Sequence, residues 1–227
     1  MSNERKHPLR RRRTVYVIDD HPIVREGLTR LINGEPDLFV CGAAEDTYTA
    51  LRSMEILKPD IAIADISLKG PDGIELIKNL KNRMPGLPVL VLSIHDESIY
   101  APRALRAGAR GYIMKQEATE NVLVALRRVL AGEIYLSDRM ANKVLQQFVG
   151  AGGTSPTFPV DRLSDRELEV FRLIGQGHGT RRIAEELHLS VKTVESYREH
   201  IKEKMTLSDA SELVQHAIQW MEREKSQ

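Results

Sequence analysis

The chain has 227 residues, 41% hydrophobic and 29% charged, with a formal net charge of +1, which is typical of a globular protein with one or two domains. No apolar run approaches the ~20 residues that a membrane-spanning helix needs, and no apolar signal region precedes the first strand, so we expect a cytoplasmic protein with no membrane contact. The single cysteine, Cys41, excludes an internal disulfide framework and fits a reducing compartment.

Charge is distributed unevenly along the chain. Residues 1–13 contain six basic side chains and one acidic side chain, a net charge of +5. Residues 14–133 have a net charge of −3, and residues 134–227 have −1. The basic start could contact an anionic partner. The simpler interpretation, which we adopt, is a basic disordered tail over residues 1–13.

From residue 14 onward, short apolar segments alternate with segments of helical periodicity. The apolar segments predict strands over 14–18, 38–43, 61–65, 89–93 and 111–114. The intervening segments predict helices over 22–33, 47–57, 74–83, 98–107 and 119–131. Five consecutive strand–helix units predict a five-stranded parallel sheet with helices on both faces over residues 14–133.

The pattern changes after residue 133. Residues 134–162 predict a linker that contains one helix, capped by Ser137 over 138–148, followed by a Gly/Ser/Pro-rich stretch over 150–159. Residues 163–223 predict an all-α domain of four helices. Ser164 and Glu167 have the spacing of a capping box for the first helix. Caps at Thr180, Ser190 and Ser208 predict the helices over 180–187, 190–205 and 208–221.

Acidic residues end two of the predicted strands. Asp19 and Asp20 follow the first strand directly, and Asp65 ends the third. If these strands are parallel neighbours, the three carboxylates meet at one edge of the sheet, where ligands bind in open α/β folds. Carboxylates at such short distances repel one another unless a cation lies between them. The cluster therefore indicates a hard metal ion such as Mg²⁺.

These residues resemble the receiver domains of bacterial two-component response regulators. Asp19-Asp20-His21-Pro22, Asp65, Asp72-Gly73, Ser93 and Lys115 have the order and spacing of that family, and the resemblance extends over residues 14–131. It implies a flavodoxin-like receiver fold. It also implies that Asp65 accepts a phosphoryl group from a sensor histidine kinase.

The resemblance assigns roles to the other matched positions. Asp19, Asp20, Asp65 and the backbone carbonyl of Ser67 would bind Mg²⁺. Lys115 and Ser93 would contact the phosphoryl group, and Tyr112 would be the family's switch aromatic residue. Three positions depart from the family pattern: Leu68 and Lys69 after the acceptor, and Gln116 after the lysine. We also expect the bulky Ile94, beside Ser93, to shield the acyl phosphate from water and slow its hydrolysis.

The carboxy-terminal domain resembles the LuxR-type helix-turn-helix, so the whole chain resembles a NarL/FixJ-type response regulator. The resemblance lies in the segments around 163–170, 183–187 and 190–198. The helix over 190–205 would enter the major groove, with Val194, Tyr197, Ile201 and Met205 packed inward. The expected DNA-binding residues are Thr180, Arg181, Arg182, Lys192, Thr193, Glu195, Ser196, Arg198, Glu199 and Lys202. The apolar stripe of the last helix could pack within the domain or against a second copy.

The sequence therefore predicts a DNA-binding transcription regulator that a kinase switches through Asp65. We expect a homodimer on double-stranded DNA. The resemblance also implies an inactive state in which the receiver covers the recognition helix. We expect no enzymatic activity beyond phosphorylation and dephosphorylation of its own aspartate. One alternative is a phosphatase or phosphotransferase with an aspartyl nucleophile, although Ser67 stands where such enzymes place a second acid. Another is an adaptor or RNA-binding protein whose helices never enter a DNA groove.

Overall fold

The computed structural model describes residues 11–66, 68, 73–142 and 159–225. Its amino-terminal domain is a five-stranded sheet of strands β1 Arg13–Ile18, β2 Leu38–Ala44, β3 Ile61–Ala64, β4 Val89–Ser93 and β5 Gly111–Met114. Every strand pair is parallel, and the strand order is β2-β1-β3-β4-β5. The alternating helices are α1 Pro22–Asn33, α2 Thr47–Leu57, α3 Gly73–Arg83, α4 Glu97–Ala107 and α5 Ala118–Leu130. The predicted receiver-type fold is confirmed.

The core lies on both faces of the sheet because successive strand side chains point in opposite directions. Val15 and Val17 of β1 pack with apolar residues of α1 and α5 on one face. Tyr16 and Ile18 pack with α2, α3 and α4 on the other. Strands buried on both faces explain why their sequences are continuous apolar runs rather than alternating ones. The arrangement leaves only the strand ends to carry polar side chains.

The carboxy-terminal domain is all-α. A 3₁₀ turn, Pro159–Arg162, precedes helices α6 Asp165–Gly175, α7 Thr180–Glu186, α8 Val191–Met205 and α9 Ala210–Lys225. The last helix buries Leu213 and Ala217 within the domain, and the Trp220 ring lies 5.6 Å from the Phe171 ring. A Cβ atom at Gly175 would be 2.5 Å from the Ala217 carbonyl oxygen, so a glycine lets α6 and α9 approach. The predicted four-helix domain is confirmed, and its apolar stripe packs internally.

Some predicted boundaries differ from the structure. Strand β1 begins at Arg13 rather than at residue 14, and the Arg12 guanidinium donates to the Leu38 carbonyl over 2.9 Å. Residues 1–10 of the predicted tail lie outside the described residues. Ser137 caps its helix by accepting from Met140 N, and that helix is described over 138–142. The rest of the predicted helix, and residues 150–158 of the predicted flexible stretch, lie outside the described residues.

Two predicted helix caps are wrong. Thr180 is the first residue of α7, and Gly179 holds the cap position without a side-chain hydrogen bond. Ser208 lies before the last helix, where Asp209 accepts hydrogen bonds from two backbone amides instead. A carboxylate is the stronger acceptor for helix-end amides, which explains the displacement of the hydroxyl. Across the part of the chain that the structure describes, no helix combines the length and apolar character required to cross a bilayer.

Candidate functional site: an acidic pocket and an exposed recognition helix

Two neighbouring strands bring the acidic residues together. Strands β1 and β3 pair in parallel, with Ile18 opposite Ala64, so the residues that follow them meet at the same edge. The Asp65 amide donates to the Ile18 carbonyl over 2.8 Å, which fixes the position of Asp65 beside the end of β1. The Asp65 and Asp19 side chains are buried. The juxtaposition that the strand ends predicted is therefore present in the structure.

The acidic cluster fits a divalent cation. Asp19, Asp20, His21 and Asp65 each present a ligand atom, and these atoms lie within 4.8 Å of one another. Asp19 Oδ2 and Asp20 Oδ1 are buried without a directed hydrogen bond from the described residues. Carboxylate oxygens are the ligands that Mg²⁺ prefers, and a divalent cation would offset the repulsion among carboxylates that lie this close together. Ser67, the other predicted ligand, lies outside the described residues.

Two residues that the sequence did not mark as functional hold the acidic cluster in place. The His21 backbone amide donates to Asp19 Oδ1 over 2.9 Å, and its ring Nδ1 lies 2.7 Å from Asp20 Oδ1. The Arg25 guanidinium donates to the Asp19 carbonyl over 2.6 Å. His21 and Arg25 are four residues apart at the start of α1, which places them on the same face of that helix.

Lys115 reaches the acidic cluster from the end of β5. Its Nζ lies 2.8 Å from Asp65 Oδ2, in hydrogen-bonding geometry, and 2.7 Å from Asp19 Oδ2. Burial disfavours the ammonium form, but the two carboxylates outweigh burial and raise the pKa of Lys115 above its ordinary value. The lysine therefore remains charged and holds two carboxylates of different strands together. The structure thus places Lys115 beside Asp65, the residue that the resemblance implied as the phosphoryl acceptor.

Ser93 and Tyr112 are connected through the backbone of His95. The Ser93 hydroxyl oxygen accepts from the His95 amide over 3.1 Å, and the Tyr112 hydroxyl donates to the His95 carbonyl over 2.8 Å. Both side chains are fully buried, and burial raises the pKa of the Tyr112 phenol. A displacement of the Ser93 hydroxyl therefore acts directly on the backbone to which Tyr112 is bonded.

The surroundings of the pocket differ in exposure. Ile94, expected to shield the acceptor, has 57% of its surface exposed.

Gly73 begins α3 against the acceptor loop, where an added Cβ would lie 2.1 Å from the Ile66 Cα. This contact explains a glycine there, because any side chain would displace the backbone next to Asp65. Loop residues 69–72 lie outside the described residues.

Helix α8 has the amphipathic arrangement predicted for a recognition helix. Val194 and Ile201 are buried, and Tyr197 and Met205 pack against them. Ser190 caps the helix by accepting from the Thr193 amide over 3.0 Å. Four of the expected DNA-binding residues are exposed on the outer face of α8: Lys192, Glu195, Ser196 and Glu199.

The remaining residues predicted to contact DNA differ in their solvent exposure. Arg181 and Arg182 are exposed at the start of α7, and Thr180 beside them is half-buried. Thr193, Arg198 and Lys202 are also partly buried, and Lys202 pairs with Glu199 over 2.9 Å. Burial lowers the pKa of Arg198, although its guanidinium stays charged. The expected surface thus consists of α8 and the first turn of α7.

The capping box of α6 also supports the recognition helix. Glu167 accepts from the Ser164 amide over 2.7 Å, and the Lys204 ammonium donates to both of its carboxylate oxygens, over 2.9 and 2.7 Å. Burial alone would raise the pKa of Glu167, but Lys204 and Ser164 outweigh burial and lower it. The sequence predicted the capping box, whereas no sequence signal marked the ion pair to α8.

The expected inactive arrangement, with the receiver over the recognition helix, is not the one in this structure. The receiver contacts the start of α6 instead, through Arg103 and Lys78, which both pair with Asp165. The outer face of α8 is exposed. Arg103 is buried in α4 beside Tyr100, Ala101 and Ala104, and its partner in α6 could not be identified from the sequence.

Comparisons with known proteins cover both domains. Residues 15–127 match the family described as "Response regulator receiver domain", and residues 161–217 match "Bacterial regulatory proteins, luxR family". The chain is 35% identical over 208 residues to the oxygen regulatory protein NreC of Staphylococcus carnosus, covering 90% of this chain and 96% of NreC.

Solved structures resemble the chain in the same way. RcsB of Salmonella enterica serovar Typhimurium, bound to promoter DNA with the phosphomimetic BeF₃⁻, is 26% identical with a TM-score of 0.64, covering 91% of this chain and 98% of RcsB. A LuxR-family response regulator from Aurantimonas is 33% identical with a TM-score of 0.57, covering 61% of this chain and 99% of that chain. The likeness to RcsB therefore extends over nearly the whole chain, whereas the Aurantimonas likeness extends over part of it.

Proposed function

Because the chain belongs to the two-component response regulators of the NarL/FixJ type, which are DNA-binding transcription regulators, we propose that phosphorylation of Asp65 shifts it toward DNA-binding dimers. The observation that carries the proposal is the pocket itself. Asp65 is buried at a strand end and paired with Lys115, and its side chain lies within 4.8 Å of ligand atoms of Asp19 and Asp20.

We propose that the phosphoryl donor is a phosphohistidine of a sensor kinase. A carboxylate oxygen of Asp65 forms the new bond to phosphorus, the bond from phosphorus to the histidine nitrogen breaks, and the released imidazole takes up a proton. Asp19, Asp20 and Asp65, with the carbonyl of Ser67, would hold Mg²⁺. When bound, the ion neutralises charge on the transferring phosphoryl oxygens.

The chain's own residues prepare the acceptor and respond to the product. Lys115 keeps its positive charge next to Asp65 and pairs with the phosphoryl group once it is formed. The Ser93 hydroxyl donates to a phosphoryl oxygen, and Tyr112 moves into the space that Ser93 vacates. Phosphorylation adds a charge of about −1.5 to −2. This charge favours the rearranged conformation of the surface around α4 and β5 over the unphosphorylated conformation.

The proposed output is binding of double-stranded DNA by a homodimer. The exposed face of α8 enters the major groove, where Glu195, Ser196 and Glu199 read base edges. Lys192, Thr193, Arg198 and Lys202 contact phosphates, as do Thr180, Arg181 and Arg182 at the start of α7. RcsB, one of the solved structures similar to this chain, is described as dimers bound to DNA, which supports this output.

Selection of bound fragments from random DNA tests the proposed output. We expect a two-half-site operator to be enriched by the wild-type chain with acetyl phosphate and Mg²⁺, and weakly or not at all by Asp65→Asn. Lys192→Gln should weaken binding and reduce its salt dependence, since one phosphate contact is lost. Equal enrichment by wild type and Asp65→Asn would contradict the proposed switch.

The rival enzymatic function makes an opposite prediction. A phosphatase of this type needs a second acid two residues after its nucleophile, where this chain has Ser67. We therefore expect no turnover of p-nitrophenyl phosphate beyond the single phosphorylation of Asp65. Multiple turnovers that disappear in Asp65→Asn would instead support the enzyme.

A further inference from the structure

A carboxylate at the start of the DNA-binding domain pairs with two cations of the receiver. Asp165, the first residue of α6, lies between two cations of the receiver: Arg103 Nη1 is 3.0 Å from Oδ1, and Lys78 Nζ is 3.0 Å from Oδ2. Burial of Asp165 would raise its pKa, but the two cations outweigh burial and lower it. Asp165 is therefore ionised and paired whenever the domains are docked.

Arg103 adds further bonds at the same junction. Its guanidinium donates to the Leu163 carbonyl over 2.9 Å and to the Val160 carbonyl over 3.2 Å, and only 8% of its side chain is exposed. A buried guanidinium is tolerated when its donors are used. Three acceptors from the carboxy-terminal part of the chain thus provide hydrogen-bond partners for this buried guanidinium of the receiver.

His95 connects this junction to the phosphoryl pocket. A small cavity between the domains is lined by His95 and Arg103 of the receiver and by Leu168 and Arg172 of α6. The His95 ring stacks on Tyr100 at 4.6 Å, while its backbone carries the hydrogen bonds to Ser93 and Tyr112. One residue therefore contacts both the predicted phosphoryl-sensing side chains and the domain interface.

We propose that Asp165 is a latch between the domains, and that His95 couples its release to phosphorylation, which rests on the proposed role of Asp65. When the Ser93 hydroxyl turns toward the phosphoryl group, the buried His95 amide loses its acceptor. An unpaired buried amide is unfavourable, so the His95 segment rearranges and its ring leaves the interface with α6. The latch restrains the domain's orientation without covering the face of α8, which is exposed while the latch is closed.

Reciprocity makes the latch measurable without DNA. If phosphorylation opposes docking, then opening the latch must favour phosphorylation by the same factor. Beryllofluoride with Mg²⁺ serves as the phosphoryl mimic, and ¹⁹F NMR titration gives its affinity. We expect the full-length Asp165→Asn and Arg103→Gln variants to bind beryllofluoride about tenfold more tightly than wild type. Because both substitutions open one contact, the double variant should gain no more than either single variant.

A matched control separates the latch from a general loss of charge. Glu75→Gln removes an acid that lies 3.7 Å from Lys78 within α3, so it should leave the affinity unchanged. In a His95→Ala background, Asp165→Asn should produce no gain. Circular dichroism, which reports both domains, verifies that each variant is folded, and Trp220 emission verifies the packing of α9 on α6.

Each contrary outcome overturns a different statement. Unchanged affinity in both single variants would overturn the latch while leaving the proposed function intact. If the affinity gain of the double variant equals the product of the two single gains, the two residues do not act through one shared contact. A tenfold gain in affinity from Asp165→Asn in the His95→Ala background would overturn the role of His95. Failure of wild type itself to bind beryllofluoride would instead contradict the proposed phosphorylation of Asp65.

Discussion

The buried imidazole of His95 predicts a loss of stability at mildly acidic pH. Burial, followed by the charges of Arg172 and Lys115, lowers the pKa of His95 from 6.5 to about 3. In the unfolded chain this histidine takes up a proton as the pH falls through its ordinary pKa, whereas in the folded chain it stays neutral. Stability therefore decreases between pH 6.5 and about 3, because the unfolded state binds more protons.

The lowered pKa of His95 determines how much stability is lost on acidification. At about pH 5 the unfolded histidine is almost fully protonated, and the free energy of unfolding is lower by about 2 kcal/mol than at about pH 7.5. Substitution by a residue that does not titrate, His95→Asn, removes this contribution. The wild type should thus lose about 2 kcal/mol more than the variant over the same interval, whatever their difference at neutral pH.

Urea denaturation at the two pH values measures this difference. The only tryptophan, Trp220, lies in the carboxy-terminal domain, so its emission reports that domain, while circular dichroism reports both. The unfolding transition of the receiver is obtained as the part of the circular dichroism change that has no counterpart in the Trp220 emission. If wild type and His95→Asn lose equal stability on acidification, His95 is not held neutral in the folded protein and the reasoning is wrong.

Three further predictions concern the pocket and the DNA-binding domain. Ile94→Ala should speed the decay of the acyl phosphate several-fold, and an unchanged decay rate would remove the proposed shielding. Gly175→Ala should destabilise the carboxy-terminal domain by more than about 2 kcal/mol, since a Cβ there meets the backbone of Ala217; a smaller loss in the Trp220 transition would contradict that packing. Glu167→Gln should cost the same domain about 1–3 kcal/mol, because it leaves Lys204 without a charged partner; an unchanged transition would show that the ion pair contributes nothing.

The sequence predicted the sheet and the acidic edge because both follow from local patterns. Apolar runs located all five strands within a residue of their ends, and an acid directly after β3 is placed by the strand that precedes it. Ser190 and Ser164 were recognised as caps because a capping hydroxyl acts within three residues. Such signals require no knowledge of the tertiary arrangement.

Long-range polar contacts were not predictable in this way. Arg103 and Asp165 are 62 residues apart, and neither has a local pattern that identifies the other as its partner. The same holds for Glu167 and Lys204, which are 37 residues apart. Their pairing depends on how the helices pack, so the position of the receiver against α6, rather than over α8, emerged only from the structure.

The central claim is that the buried Asp65 carries a transient phosphoryl group in a magnesium-dependent reaction. Intact-protein mass spectrometry after incubation with acetyl phosphate measures this most directly. We expect the addition of one phosphoryl group to wild type in the presence of Mg²⁺, with little or none when the metal is chelated or in Asp65→Asn. Equal phosphorylation of Asp65→Asn, or undiminished phosphorylation of wild type without Mg²⁺, would contradict it.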